Sequence, residues 1–150
     1  MFYVIVQSFS VLHPSAVFVD SFNAASSPSF EQRWSTISTD PYSGEWAVEA
    51  GLQNSGIVGD LGLLLKSPAR RHAIVAPFDQ PFDVTDKDFV VQYEVRFNTA
   101  LQCGGAYIKL LTQTEAFSAS SFGEATPYTI MFGPDKYERC LTTRVSLWFN

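Results

Sequence analysis

The chain has 150 residues, a formal net charge of −5 and two cysteines, which allows a single domain at most. Its acidic balance lacks the clustered Lys and Arg that nucleic acid requires, and no stretch reaches the roughly 18 apolar residues needed to span a bilayer. With 46% hydrophobic and 17% charged residues, wholesale disorder is excluded and a core is affordable.

Residues 1–16, MFYVIVQSFSVLHPSA, are read as a signal peptide or a disordered extension. The apolar run Phe2 to Val6 and the small Ala16 favour the first. The missing basic residues ahead of the run, and the interruptions Gln7, Ser8 and His13, favour the second. Val17 to Phe22 (VFVDSF) alternates apolar and polar, which predicts a strand. Residues 23–30 are small and polar and read as a loop, followed by a segment carrying Trp34. Tyr42 to Glu45 is a turn signal leading into a strand at Trp46 to Glu49.

Asn54 to Gly62 is glycine-rich and precedes a short apolar run, Leu63 to Leu65. Lys66 to His72, with Arg70 and Arg71 adjacent, is the one basic cluster and reads as a solvated strand edge or turn. Pro68 separates that run from His72 to Ala76, and Pro77 and Pro81 bracket another turn. The clearest strand is Phe89 to Phe97: Phe89, Val91, Tyr93, Val95 and Phe97 share one face and Val90 is the exception. Ala106 to Leu111, Tyr128 to Phe132 and Arg144 to Phe149 read as further strands. Between them, Glu115 to Glu124 reads as a loop or short helical turn.

Thirteen Phe and six Tyr suit pleated, half-buried surfaces. Short strands joined by Gly, Pro and Ser turns predict an all-β fold, a β-sandwich or jelly roll. The last strand runs to the terminus with no closing turn, so the expectation is an incomplete sandwich.

Three stretches carry a resemblance: GDLGLLLKSPARRHAIVAPFDQPF from Gly59 to Phe82, FVVQYEVRFNTALQCGGAYIKLL from Phe89 to Leu111, and TPYTIMFGPDK from Thr126 to Lys136. Together with VFVDSF, Trp34 and YSGEWAVE, they resemble the calnexin/calreticulin family, nearer the calnexin branch, over residues 17–150. The resemblance implies a concanavalin-like jelly-roll domain with a structural calcium. It also implies an endoplasmic-reticulum chaperone that binds monoglucosylated N-glycans of unfolded glycoproteins. The proline-rich arm that interrupts the domain in the family has no counterpart here.

In GGAYIKL, Tyr107 and Lys109 are two apart, so a strand projects them from one face. An aromatic ring beside fixed donors and acceptors is what holds a sugar. Gly104 and Gly105 permit close approach of a ligand or of another backbone. The plain alternative is a sheet-capping tyrosine and an ordinary surface lysine. By resemblance, Tyr128, Met131 and Asp135 extend the site. Tyr128 and Met131 are an odd number apart, which an ideal strand would place on opposite faces unless a bulge intervenes. Core packing for Met131 and a turn role for Asp135 are the alternatives. Two acidic residues that complete the family's sugar site come from later in its lectin domain, which predicts weak or absent glycan binding by this chain alone.

The resemblance also places Ser21 and Asp60 at calcium-ligand positions. Calcium takes six to eight oxygens, so two do not make a site, and Asp60 also reads as a turn residue. For the cysteines, the resemblance implies a disulfide from Cys103. The family's second position holds Tyr137 here, and the other cysteine follows as Cys140. A Cys103–Cys140 bond would contribute about 4 kcal/mol on the loop-entropy model and imply an oxidising compartment. Two reduced buried thiols are the alternative.

Hydrolysis of a glycoside needs two facing carboxylates, yet no predicted strand carries an E-x-D or E-x-E pair. A Gly-x-Ser-x-Gly elbow and a histidine metal motif are also missing, so no enzyme is expected. The competing expectation is a fragment without lectin activity that binds unfolded polypeptide through exposed strand faces.

Overall fold

The computed structural model describes residues 2–5, 16–22, 29–51, 58–98, 101, 103–115 and 117–136, the first of these segments by its backbone. The chain divides into two compact units, Met1–Asn98 and Thr99–Asn150. Strands of both units pair antiparallel, and the β structure is what the composition predicts.

The first unit is built on a four-stranded sheet. Its members are β1 (Phe2–Ile5), β3 (Trp46–Ala50), β4 (Leu61–Leu65) and β6 (Glu94–Phe97), in the order β3-β4-β1-β6. Turn residues Val58 and Gly59 lead into β4, with Gly59 at φ 81°, a region that suits glycine. β4 is central, pairing Leu64 with Ala47 on one side and with Tyr3 on the other. Leu63 and Leu64 are 1% and 0% exposed. Adjacent strand residues point to opposite faces, so both faces of β4 are covered and its sequence reads as a continuous apolar run rather than an alternation. Within residues 1–16, Phe2–Ile5 form β1, seated between β4 and β6.

A smaller ladder joins β2 (Ser35–Thr36) to β5 (Ile74–Val75), and the buried Ile37 extends it by donating to the Ala73 carbonyl at 3.0 Å. Ahead of β2 lies one turn of helix, α1 (Phe30–Arg33), which the sequence reading did not anticipate. The Ser29 N–H donates to Gln32 Oε1 at 3.0 Å, the reciprocal half of an S-x-x-Q start signal.

Val17 to Phe22, expected as a strand, is not one. Its polar groups are taken by side chains instead of a ladder. Asp20 accepts from the Phe22 N–H at 2.9 Å and from Trp34 Nε1 at 2.7 Å, with Arg33 Nη1 at 3.6 Å. Arg33 also donates to the Val19 carbonyl. Phe22 sits at φ 54°, which no strand tolerates. The apolar residues still go inside: Phe18 meets Trp34 edge-on at 5.6 Å and Phe78 at 5.5 Å, and Phe22 packs on Trp34 and Phe30.

Phe89 to Phe97 is a ladder strand only from Glu94. The alternation of burial nevertheless begins at Phe89, and Val90, the exception to the pattern, is 85% exposed. Phe89 stacks on Phe82 at 5.0 Å.

The second unit contains two strand pairs. β7 (Gly104–Gly105) pairs with β10 (Asp135–Lys136), and β8 (Ile108–Leu111) pairs with β9 (Tyr128–Phe132). Between β8 and β9, Ala119–Ser121 forms one 3-10 turn, as the loop reading allowed. Arg144 to Phe149 lies outside the described residues.

Candidate functional site

Tyr107, Lys109, Tyr128, Met131 and Asp135 all fall in the second unit, and its register determines which of them share a face. Lys109 stands directly opposite Met131 in the β8–β9 ladder, so their side chains project to the same side. The register then slips: Leu110 pairs with Ile130, but Leu111 pairs with Tyr128, passing over Thr129. This is a β-bulge, one extra residue on β9. It removes the parity conflict raised by the sequence. Tyr128 lies opposite Leu111, which shares a face with Lys109, so Tyr128, Met131 and Lys109 come to one face. The Lys109 Nζ lies 5.0 Å from the Tyr128 ring centre, in cation–π contact. Thr129 turns the other way, its hydroxyl 3.1 Å from that of Thr112.

Asp135 reaches its place through the neighbouring ladder. It stands opposite Gly105, and Lys136 opposite Gly104, while the Ala106 N–H donates to the Pro134 carbonyl at 3.0 Å. A Cβ placed on Gly105 would lie 2.5 Å from Cε2 and Cζ of Tyr107 and 2.6 Å from its hydroxyl oxygen. The Tyr107 ring therefore occupies the space a side chain at position 105 would take. Directly opposed residues project to one face, so the ring lies on the same side of this ladder as the Asp135 side chain. The sequence reading foresaw close approach to the glycines by a ligand or a backbone; the structure puts an aromatic side chain there.

Chemically, this surface offers two partly exposed rings, Tyr107 at 41% and Tyr128 at 47%, together with an ammonium, a thioether and a carboxylate. Asp135 Oδ1 is buried and has no hydrogen-bond partner among the described residues. A buried acceptor without a partner is costly.

Cys103 is disulfide-bonded. Cys140, the chain's other cysteine, lies outside the described residues.

Of the two residues expected at calcium, Ser21 is half-buried between Asp20 and Phe22, and Asp60 closes the turn that enters β4. Asp20, the nearest acid in sequence, has its oxygens engaged by Trp34 and the Phe22 N–H. Among the described residues there is no group of three or more His, Cys, Asp and Glu able to hold a metal ion. These residues do not by themselves fit a site that needs six or more oxygens.

The described residues are nearly all β, in small antiparallel sheets, consistent with a fragment of a lectin-type β-sandwich. The chain belongs to the calreticulin family, whose match runs over residues 18–150. It is similar to calmegin of Bos taurus, 53% identical over 95 residues that make up 63% of this chain and 16% of the relative. The calnexin homolog of Aspergillus fumigatus is also 53% identical over 95 residues, 63% of this chain and 17% of the relative. Calnexin of Caenorhabditis elegans is 47% identical over 95 residues, 63% of this chain and 15% of the relative. The match thus spans about a sixth of the length of these relatives. No solved structure matches the chain. Among the described residues no helix is long and apolar enough to cross a membrane.

Proposed function

We propose that this chain is part of an endoplasmic-reticulum lectin chaperone, and that Tyr107, Lys109, Tyr128, Met131 and Asp135 bind the terminal glucose of monoglucosylated N-glycans on unfolded glycoproteins. The observation that carries this reading is the bulge at Thr129. It gathers Lys109, Tyr128 and Met131 on one face, beside a ladder that carries the Tyr107 ring and Asp135. A pyranose presents weakly apolar C–H faces and a rim of hydroxyls. Tyrosine rings and Met131 suit the faces, while Lys109 donates and Asp135 accepts at the rim. The role is binding, not catalysis. Ser21 and Asp60 are proposed as a partial set of calcium ligands, the remaining oxygens coming from outside the described residues. The Cys103 disulfide supports an oxidising compartment.

The test is saturation-transfer NMR of the chain with a monoglucosylated oligosaccharide and its unglucosylated counterpart, each with calcium and with chelator. Weak transfer to the glucose protons of the first sugar alone, lost in Tyr107→Ala, is expected, a level that saturation transfer still reads. Equal or absent transfer for both sugars would defeat the lectin reading of this chain and favour the competing one, a fragment that binds unfolded polypeptide.

A further inference from the structure

We infer that Gly105 is the positioning residue of the sugar-binding face: its missing side chain is the seat of the Tyr107 ring, and any larger residue there unseats it. The inference deepens the proposed lectin reading and rests on it for its consequence in binding, though not for its geometry.

The two adjacent glycines do different work. Gly104 has φ 93° and open space around the position of a Cβ. A side chain there meets no neighbour, but the backbone conformation is one that L-residues rarely adopt. Gly105 is the reverse. Its backbone lies outside that region, and three ring atoms of Tyr107 crowd the position of its Cβ at 2.5–2.6 Å. The three atoms nearest an alanine Cβ at 105 all belong to that ring, and a ring can rotate. Gly104→Ala therefore strains the fold and leaves the ring seated; Gly105→Ala spares the fold and displaces the ring.

The seat has a consequence for the ligand. Gly105 is paired with Asp135, so the ring resting on Gly105 is held at a fixed cross-strand spacing from the carboxylate. Directly opposed positions are about 4.5–5.5 Å apart, a span that lets one sugar ring lie against the aromatic face while its edge hydroxyls reach the acid. A displaced ring loses that joint geometry while every chemical group stays present.

The experiment uses the full chain. In the unmodified protein the Tyr107 ring protons give nuclear Overhauser contacts to the Gly105 Hα protons. This requires no change at Gly105, and absence of those contacts would overturn the inference. With 3-fluorotyrosine at 107, Gly105→Ala is expected to move the fluorine resonance while Gly104→Ala is not; an unmoved resonance in folded Gly105→Ala also overturns it. In binding, Gly105→Ala is expected to lose glucose saturation to the level of Tyr107→Ala. The double variant should lose no more, because one residue acts through the other. If the unmodified chain shows no glucose-specific transfer, the lectin reading fails, and the Overhauser contacts and fluorine shifts still decide the role of Gly105.

Discussion

The ammonium of Lys109 lies 5.0 Å from the centre of the Tyr128 ring, across a ladder that skips one residue between their pairing partners. With regular pairing, Tyr128 and Met131 would lie on opposite faces, and Lys109 would have one of them rather than both. The contact therefore reports on the register. Lys109→Met and Tyr128→Leu, singly and together, should show a coupling of about 0.5–1 kcal/mol in urea unfolding. Additive losses would mean that ring and ammonium do not meet.

Asp135 provides a test in which stability and binding part company. Its Oδ1 is buried and has no partner among the described residues, so the free protein gains little from the carboxylate. Asp135→Asn keeps the shape and should leave the urea midpoint within about 0.5 kcal/mol of the parent. A charged acceptor bonded to a sugar hydroxyl contributes about 1.5–3 kcal/mol, so glycan binding should fall at least tenfold. A variant that loses stability and keeps binding would assign Asp135 to the fold.

In the first unit, two very different side chains should prove comparably important. Leu64 is fully buried, and Leu64→Ala should cost about 3 kcal/mol. Asp20→Ala should also cost about 3 kcal/mol, by leaving the Trp34 and Phe22 N–H groups without their acceptor and removing the ion pair to Arg33. Val90→Ser, at an 85% exposed site, should change nothing beyond about 0.5 kcal/mol. Urea unfolding of the three variants checks the ranking.

His72 makes stability depend on pH. Its ring packs edge-on against Trp46 at 5.3 Å, and a side chain at Gly44 would collide with it. The Nδ1 meets the Arg70 carbonyl at 3.0 Å, and the Nε2 is buried without a partner among the described residues. Burial holds the His72 pKa below its usual value, ahead of the opposing pull of backbone carbonyls at Arg70 and Glu45. The unfolded chain therefore binds the proton first. Stability is fully present above about pH 6.5, the unperturbed histidine value, and is lost as pH falls through the lowered folded value. The melting temperature should drop between pH 7.5 and 5.5, and His72→Phe should flatten that slope. An unchanged slope in His72→Phe would place the titration elsewhere.

Much of this was readable in advance where one local rule dominates. Tyr128 to Phe132 and Trp46 to Ala50 are strands close to where their patterns put them. The alternation from Phe89 gives the burial correctly although its first half makes no ladder. VFVDSF misled because period-two patterning reports which residues go inside, and not whether their backbone groups find a strand or a side chain. Asp20 was the signal, an acid within an apolar run that needed an internal donor. The bulge at Thr129 could be posed from sequence only as a condition, since spacing shows a conflict of faces and not how the chain resolves it. The seat of Tyr107 on Gly105 was out of reach, because a glycine does not announce which neighbour fills its vacancy.

The order β3-β4-β1-β6 joins β4 and β6 only through residues 2–5. Those four residues act as a keystone. A protease that cut ahead of Ala16 would leave two facing rows of bare amides and carbonyls, one on β4 and one on β6. The sheet would part into a hairpin-like β3–β4 pair and an orphaned β6. The first residues of the chain therefore bear on the middle of its largest sheet.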